Sequence, residues 1–496
     1  MALNRSPPPP PTHSMRRSPT AAAFLLCLSG PLVAQTPSQA PAQGPQPYTP
    51  PKFQLLRWKE DWSKLLDNPE AKQAHPWLAY KAVPLSDDKE WWVSFGANVF
   101  ERYEAIDGFR FGSAPNGVNQ DSYWLTRVFA HADWHFGKHF RAMTEIKTCW
   151  STDRELQGGD QPINVDSLDI HNFWLEGKTD VGGNTTATLR GGRQELAFGR
   201  ERLISILDWP TTRRIFDGFS STWNRGPFAL TAFWVRPLRV DRFEFNESND
   251  DQVFYGAYGI YNQKPWTVEL YSLYTDRDNR TIQGFSGTEK RQTNGLRIER
   301  PFADAWKAEF EGTWQTGSLG QADIEAWMTG SELSYTFKNE PWKPTLLVGL
   351  EAASGDQSPT DDEINTFDTL YPLGHMWFGF VDAVGRRNVI GPNLGLRLQP
   401  TDDLKVRLDL HHFERLEDDD VLYDVADVQI VPVAGLPPAG ASKEIGQEID
   451  LVVSYTFNRF AKLDLGYCYL FAGDYVKQLT QGEDWSLFYA WLYLTF

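Results

Sequence analysis

The chain has 496 residues, of which 14% are aromatic and 20 are Trp, and its formal net charge is -17. The acidic excess argues against nucleic acid as a partner, because proteins bind phosphates through basic surfaces. No long apolar segment follows the N-terminal region, which excludes helical membrane spans, but a transmembrane barrel stays compatible because only alternate strand residues face lipid.

Residues 1–34 are predicted to form a secretory signal peptide. Arg16 and Arg17 precede a short apolar run over residues 21–28, and small residues follow up to Ala34, as in segments that are removed after export. The apolar run is too short to span a bilayer. We therefore expect the chain to be exported from the cytoplasm.

Residues 35–90 are predicted to be a Pro- and Gln-rich linker followed by one short amphipathic helix. Pro, Gln and Ala dominate residues 35–51, a composition typical of flexible or extended linkers. In residues 55–66 the apolar side chains recur at helical spacing, which predicts a helix there. The pattern leaves open whether this short periplasmic segment lies under a barrel mouth or has no role in transport.

From residue 91 to residue 496 the chain shows strands of period two, separated by polar, Gly-rich and Asp-rich connections. In the clearest strand, aliphatic residues from Leu404 to Leu410 alternate with ionisable residues from Lys405 to His411. Such alternation gives a strand one apolar and one polar face. It fits a soluble sandwich with the apolar face inside as well as a membrane barrel with that face outside.

The last strand favours the membrane barrel. Residues 485–496 (WSLFYAWLYLTF) are apolar or aromatic on both faces, so in water they would form an aggregating edge. A closed barrel has no free edge, and aromatic residues mark its membrane interfaces. Phe496 also resembles the terminal signal by which the barrel assembly machinery recognises its clients. We therefore predict an all-β fold, a transmembrane antiparallel β-barrel over residues 91–496 in the bacterial outer membrane.

The length of the strand region limits the size of this barrel. At about 10 residues per strand plus connections, residues 91–496 accommodate roughly 16 to 20 strands. A barrel of that size encloses an open lumen rather than one filled by wall side chains. Polar strand residues would then face the lumen and apolar ones the lipid.

Three stretches carry a resemblance to a known family. They are YKAVPLSDDKEWWVSFGANVFERYE over residues 80–104, RGGRQELAFGRERLI over residues 190–204, and TFDTLYPLGHMWFGFVDAVGRRNV over residues 366–389. These stretches resemble the alginate export family of outer-membrane barrels, and the resemblance extends to the C-terminus. It implies a monomeric barrel of about 18 strands, whose arginine-lined lumen lets an anionic polysaccharide leave the periplasm.

The predicted substrate pathway is a set of basic side chains on the lumen face. Strand parity selects Arg102, Arg127, Arg141, Lys147, Arg397, Lys405 and Arg407. The family-like stretch adds Arg190 and Arg193, which have opposite parity, so at most one of them faces the lumen of a regular strand. Guanidinium groups suit a polyanion because they stay charged and bind carboxylates in a bidentate fork. The alternative is that these residues pair with lumen acids and only satisfy the interior.

The predicted function is passive passage of an alginate-like polysaccharide through an outer-membrane porin or exporter, with no cofactor and no metal. A general or solute-specific porin for oligosaccharides or organic acids, and a plugged structural or adhesive barrel, are the alternatives. The sequence has no G-x-S-x-G, H-E-x-x-H or Walker motif, so nothing in it indicates an enzyme. The expected partners are outer-membrane lipid, the barrel assembly machinery through Phe496, and the polysaccharide or another small solute. We expect a monomer.

Overall fold

The computed structural model describes residues 48–496. Residues 1–47, which include the predicted signal peptide and most of the predicted linker, lie outside the described residues. Within the described part of the chain, no helix is long and apolar enough to cross a membrane.

Long antiparallel strands, numbered β1 to β18 in chain order, make up the fold, and each pairs with the strand before it and the strand after it. The first half of the ring is β1 (Trp91–Asp107), β2 (Asp121–Phe136), β3 (Phe140–Ser151), β4 (Asp166–Gly182), β5 (Thr185–Gln194), β6 (Phe216–Arg225), β7 (Phe228–Arg239), β8 (Gln252–Gln263) and β9 (Trp266–Ile282). The second half is β10 (Phe285–Phe302), β11 (Trp306–Leu319), β12 (Ala322–Thr336), β13 (Thr345–Ala353), β14 (Val389–Leu398), β15 (Leu404–Glu414), β16 (Glu444–Asn458), β17 (Ala461–Ala472) and β18 (Trp485–Thr495).

The sheet closes on itself because β1 pairs with β18. Asn98 lies opposite Thr495, and Asp107 lies opposite Ser486. Closure gives backbone partners to both edges of β18. A strand that is apolar on both faces is therefore not left as a free edge that would aggregate. The predicted all-β, transmembrane antiparallel barrel of about 18 strands is confirmed.

The connections differ in length between the two ends of the barrel. At one end they are short turns, such as residues 137–139 and 459–460. At the other end lie the longest connections, residues 195–215, 354–388 and 415–443. Two short helices, α2 (His375–Phe378) and α3 (Asp474–Leu479), also lie in connections at this end. In bacterial barrels the short turns face the periplasm and the long loops face the outside of the cell. The end with the short turns is therefore the periplasmic end of this barrel, and the end with the long connections is the extracellular end.

The two faces of the wall differ in polarity, as strand parity predicts. On β15, Leu410 is 42% exposed on the outer surface, whereas its neighbours Asp409 and His411 are buried in the interior. On the adjacent strand β14, Leu394 lies opposite Leu410 and is also exposed. An apolar exterior and a polar interior are what a lipid-facing barrel needs.

A hydrophobic core fills part of the interior at the long-loop end. Phe216 and Phe254 of the wall contact the ring of Tyr371, with ring centroids 5.2 and 4.9 Å apart. Tyr371 belongs to connection 354–388. The predicted open lumen is therefore occupied at this end by loops, for which a ring of this size leaves room.

Residues 55–66 do not form the predicted amphipathic helix. The structure has two short 3-10 helices, Arg57–Lys59 and Ser63–Asp67, and α1 follows at Pro69–Ala74. Trp58 lies against Trp174 of the barrel wall, while Trp62 packs against Trp77. Helical preference is weak in so short a segment, and such tertiary contacts override it.

Residues 48–90, called the N-terminal segment below, are attached to the periplasmic end of the wall. The short strand Val83–Pro84 pairs with the start of β1. Arg57 donates hydrogen bonds to the backbone oxygens of Ala97 and Phe496, at 3.1 and 2.8 Å. The segment therefore covers the junction between the first and last strands.

Candidate functional site

Connection 195–215, called the inward loop below, crosses the barrel interior. At one wall Arg202 is buried and forms an ion pair of 2.5 Å with Glu309 of β11. Further along the loop, Asp208 lies 2.8 Å from Arg127 of β2. Because β2 and β11 are half-way round the ring from each other, the loop spans the interior from one wall to the opposite wall.

Connection 354–388, called the long loop below, folds onto the inward loop. The backbone oxygen of Tyr371 accepts a hydrogen bond of 2.8 Å from the N–H of Ser205. The guanidinium of Arg202 lies 3.7 Å from the ring centroid of Trp377. Backbone pairing and cation–π contact thus join the two loops into one partition inside the barrel.

The structure places all but one of the predicted pathway residues on the interior face of the wall. Their ion pairs are Arg102–Glu104, Arg127–Asp208, Arg141–Asp133, Lys147–Asp166, Arg190–Glu176, Arg397–Asp409 and Arg407–Asp409. Lys405 is exposed and has no ion pair with any residue in the range 48–496. Interior acids therefore neutralise most of the predicted cations, whereas the charge of Lys405 is not neutralised by an ion pair with any described residue.

Arg193 is the predicted pathway residue that does not face the lumen. It lies opposite Asp217 of β6 and forms an ion pair of 2.9 Å with it. Phe219, two residues further along the same face of β6, is 59% exposed on the outer surface. Since side chains two residues apart share a face, Arg193 faces outward and its place in the predicted pathway is wrong. Arg190, of opposite parity, faces inward, in line with the expectation that at most one of the two faces the lumen.

The N-terminal segment covers two of the predicted pathway residues. The guanidinium of Arg190 lies between the rings of Trp58 and Trp174, 4.1 and 4.0 Å from their centroids. Arg141 donates a hydrogen bond of 2.6 Å to the backbone oxygen of Trp58. The segment thus reaches into the periplasmic mouth and narrows it.

Four basic side chains, called the basic patch below, line a recess of about 280 Å³ on the interior wall. They are Lys343, Arg397, Lys405 and Arg407. Both arginines share the carboxylate of Asp409, which lies 2.6 Å from Arg397. Neither lysine forms an ion pair within the described part of the chain, so the recess carries an excess of positive charge.

Sequence reasoning missed the basic residues of the inward loop. Arg202 lies in the family-like stretch, and Arg213 lies 2.6 Å from Asp208 and 3.4 Å from Glu195. Strand parity gives no information about residues outside strands. The clustering of arginines after β5 was the one sequence signal that could have pointed to them.

The carboxyl group of Asp208 in the inward loop stays ionised although it is largely buried. Burial alone would raise the pKa of Asp208, but the guanidinium groups of Arg213 and Arg127 outweigh it and hold this pKa at about 2. Burial opposes the charge of Arg213 as well, yet Asp208 and Glu195 raise its pKa above the ordinary value. The attachment of the loop therefore stays ionised at neutral pH.

The interior offers charges and hydrogen bonds to a passing solute. In residues 48–496, no three His, Cys, Asp or Glu side chains are grouped as metal ligands would be. The basic patch and the partly covered arginines can attract anions without holding them tightly, because acids neutralise part of their charge.

Comparison with known proteins gives a family and a fold. The family model described as alginate export matches residues 91–487, while no curated protein matches the chain. OccAB1 of Acinetobacter baumannii has 13% identity and a TM-score of 0.53, with 83% of this chain and 97% of that chain covered. OpdO of Pseudomonas aeruginosa has 11% identity and a TM-score of 0.51, with 82% and 97% covered. At these identities the similarity concerns the fold alone.

Proposed function

The chain belongs to the alginate export family, and we propose that its lumen gives passive passage to an anionic, alginate-like polysaccharide. It is an outer-membrane β-barrel of the porin and exporter type, located in the bacterial outer membrane. Family and fold indicate a transporter rather than an enzyme. The proposal adds the substrate class, and it includes that the chain catalyses no reaction and needs no cofactor.

The basic patch is the observation that carries this proposal. Four cations, Lys343, Arg397, Lys405 and Arg407, line one recess, and a single acid, Asp409, pairs with its two arginines. A polyuronate carries one carboxylate on each sugar unit, so it can exchange one weak contact for the next as it moves. A row of weak sites attracts a polyanion without trapping it.

The assembly state and the assembly route are part of the proposal. We propose a monomer, because the ring of strands closes within a single chain. Phe496, at the end of the closing strand, would be the residue that the barrel assembly machinery recognises. The apolar outer face is covered by outer-membrane lipid.

Lys405→Glu is the experiment that tests the substrate class. In planar bilayers the wild-type channel should prefer anions and be blocked by oligouronates. Reversal of an uncompensated lumen charge should shift selectivity toward cations and weaken the block by ~5-fold at low salt. Lys264→Glu is the matched control, because Lys264 is exposed in a periplasmic turn outside the basic patch. A wild-type channel that prefers cations and ignores oligouronates would overturn the proposal.

A solute-specific porin for small organic acids is the second candidate. OpdK of Pseudomonas aeruginosa, which has 11% identity and a TM-score of 0.52 with 81% of this chain and 98% of that chain covered, is solved with vanillate. Block by vanillate without block by oligouronates would favour this candidate. The partition formed by the two loops favours a third candidate, a plugged barrel, for which no single-channel current would be measured.

A further inference from the structure

Residues 240–246 of the extracellular connection after β7, called the outer flap below, reach sideways along the wall. The connection first returns to β7, because the short strand Glu247–Ser248 pairs with Leu238 and Arg239. The backbone oxygen of Arg242 accepts a hydrogen bond of 2.9 Å from the N–H of Ser167, at the start of β4. Since β5 and β6 lie between β4 and β7 in the ring, the flap passes both of these strands.

Polar contacts attach the flap to the outward-facing ion pair of Arg193 and Asp217. The buried side chain of Asn246 donates hydrogen bonds to Asp166 and Asp169, at 2.7 and 2.5 Å. The backbone oxygen of Asn246 accepts a hydrogen bond of 2.9 Å from Arg193. Charged groups on a lipid-facing surface are costly unless they are paired and covered. The flap thus supplies cover at the place where two strands carry charges on the outer face.

A row of aromatic side chains across β6 to β9 gives the depth of the flap. Phe219 lies opposite Trp234, and both are exposed on the outer surface. Tyr255 pairs with Trp234 on one side and with Tyr274 on the other. Phe219 is close to the extracellular end of its strand, and rows of aromatic residues mark the membrane interfaces of barrels. This row therefore marks the interface with the outer leaflet.

A groove of about 460 Å³ lies between the flap and the wall at the level of this row. Its charged lining residues, Arg193 and Asp217, are paired with each other at 2.9 Å. Large apolar side chains form much of the rest, namely Ile170, Phe173, Phe219 and Phe245. The wall residues among them are exposed on the outer face. The groove is therefore continuous with the lipid-facing surface of the barrel.

Two phenylalanine rings of the flap stand exposed. Phe243 is 71% exposed and Phe245 is 63% exposed, although polar residues dominate the rest of the connection. Large exposed rings close together mark an interaction surface. The neighbouring charged residues, Arg242 and Glu244, have stems long enough to keep their charges among lipid headgroups while the rings enter the acyl chains.

We propose that the outer flap docks onto the outer leaflet of the membrane, with the rings of Phe243 and Phe245 among the acyl chains. An acyl chain of a neighbouring lipid fills the groove beside Phe245. The occupant is lipid rather than a second copy of this chain, because the groove continues the lipid-facing wall at the aromatic row. This docking holds the flap over Arg193 and Asp217, and it does not depend on which solute the lumen passes.

Spin labels in reconstituted lipid vesicles measure the depth of the flap. In a parent without Cys149 and Cys468, nitroxides are attached to Phe243→Cys and Phe245→Cys. Collisions are measured with oxygen, which concentrates in lipid, and with a water-soluble nickel chelate. The ratio of oxygen to chelate collisions should be about 5-fold higher for both labels than for Asp419→Cys, which is exposed in connection 415–443.

Two results would overturn the docking. Chelate collisions as frequent as those of Asp419→Cys would place the flap in water. Labels shielded from both oxygen and the chelate would place the rings against protein, as in a contact between two copies of the chain.

Trypsin on whole cells, where it reaches only the extracellular side, tests the same docking without a label. Cleavage after Arg242 is measured relative to cleavage of the same bond in the denatured chain. Phe243→Ser with Phe245→Ser should speed it by about 10-fold, because the flap detaches more often without its rings in lipid. Val433→Ser with Leu436→Ser is the matched control, since it removes two exposed apolar residues of another extracellular connection. Equal cleavage in the two double variants would contradict the docking.

Discussion

The guanidinium of Arg127 on β2 lies 2.8 Å from the carboxylate of Asp208 on the inward loop. Asp208 also lies 2.6 Å from Arg213, further along the same loop, and accepts a hydrogen bond of 2.7 Å from Tyr493 of β18. One carboxylate therefore joins the loop to two strands that are both neighbours of β1. Removing one partner of a buried ion pair leaves the other charge uncompensated.

Asp208→Asn should loosen the inward loop. The substitution leaves Arg127 buried without a counter-charge, at a cost of about 3 kcal/mol in loop attachment. We expect a higher and noisier single-channel conductance and faster proteolysis within residues 195–215. Asp250→Asn is the control, because Asp250 pairs with Arg236 but is 85% exposed. Wild-type currents and proteolysis in Asp208→Asn would contradict the anchoring role.

Acid should loosen the same loop over a defined pH range. The pKa of Asp208 in the folded protein is about 2, below the ordinary value of about 3.9 for an unfolded Asp. Stabilisation by a depressed carboxyl pKa is complete above the unfolded value and is lost as the pH falls toward the folded one. The protection of residues 195–215 against hydrogen exchange, taken relative to the intrinsic exchange rate at each pH, should therefore be constant from about pH 7 to 5 and fall below about 4, for a loss on the order of 2 kcal/mol. Asp208→Asn should not show this fall.

Neighbouring residues on β15 should differ in access to water. In a parent without the buried Cys149 and Cys468, Lys405→Cys should react rapidly with a water-soluble thiol reagent through the lumen. Val406→Cys should react at least ~10-fold more slowly in intact membranes, because alternate strand residues face lipid. Equal rates would show that this strand is not embedded as described.

Deletion of Phe496 should reduce assembly of the barrel. The expected result is loss of most of the heat-modifiable band on gels of outer-membrane fractions. Because Phe496 also contacts the ring of Trp77, Trp77→Ala is the control that removes this contact and keeps the terminal residue. Normal assembly of the deletion, or an equal defect in Trp77→Ala, would argue against recognition of Phe496 by the assembly machinery.

The wall of the barrel could be predicted from the sequence because each strand reports its own orientation. Alternation placed Arg127, Lys147 and Arg407 on the interior face, where the structure has them. It also limited Arg190 and Arg193 to one lumen position, which the structure gives to Arg190. Whether a strand residue points to the lumen or to the lipid follows from its place in the alternation along that strand. This alternation can be read directly from the sequence.

The contents of the barrel could not be predicted in the same way. Arg202 and Glu351 are 149 positions apart in the chain, and nothing in the spacing of either residue indicates the other. The N-terminal segment shows the same limit, since its helical spacing was overridden by contacts of Trp58 with the distant Trp174. Long-range contacts of irregular segments have no period for a sequence pattern to reveal.

The course of the inward loop also has a mechanical consequence. A hoop of thin wall flattens easily under uneven lateral pressure, and a strut across its diameter resists that flattening. The inward loop is attached at Arg202 to β11 and at Asp208 to the opposite β2, so it acts as such a strut. The wall of the barrel is thus supported from within, and a solute that displaced the loop would make the whole wall more compliant.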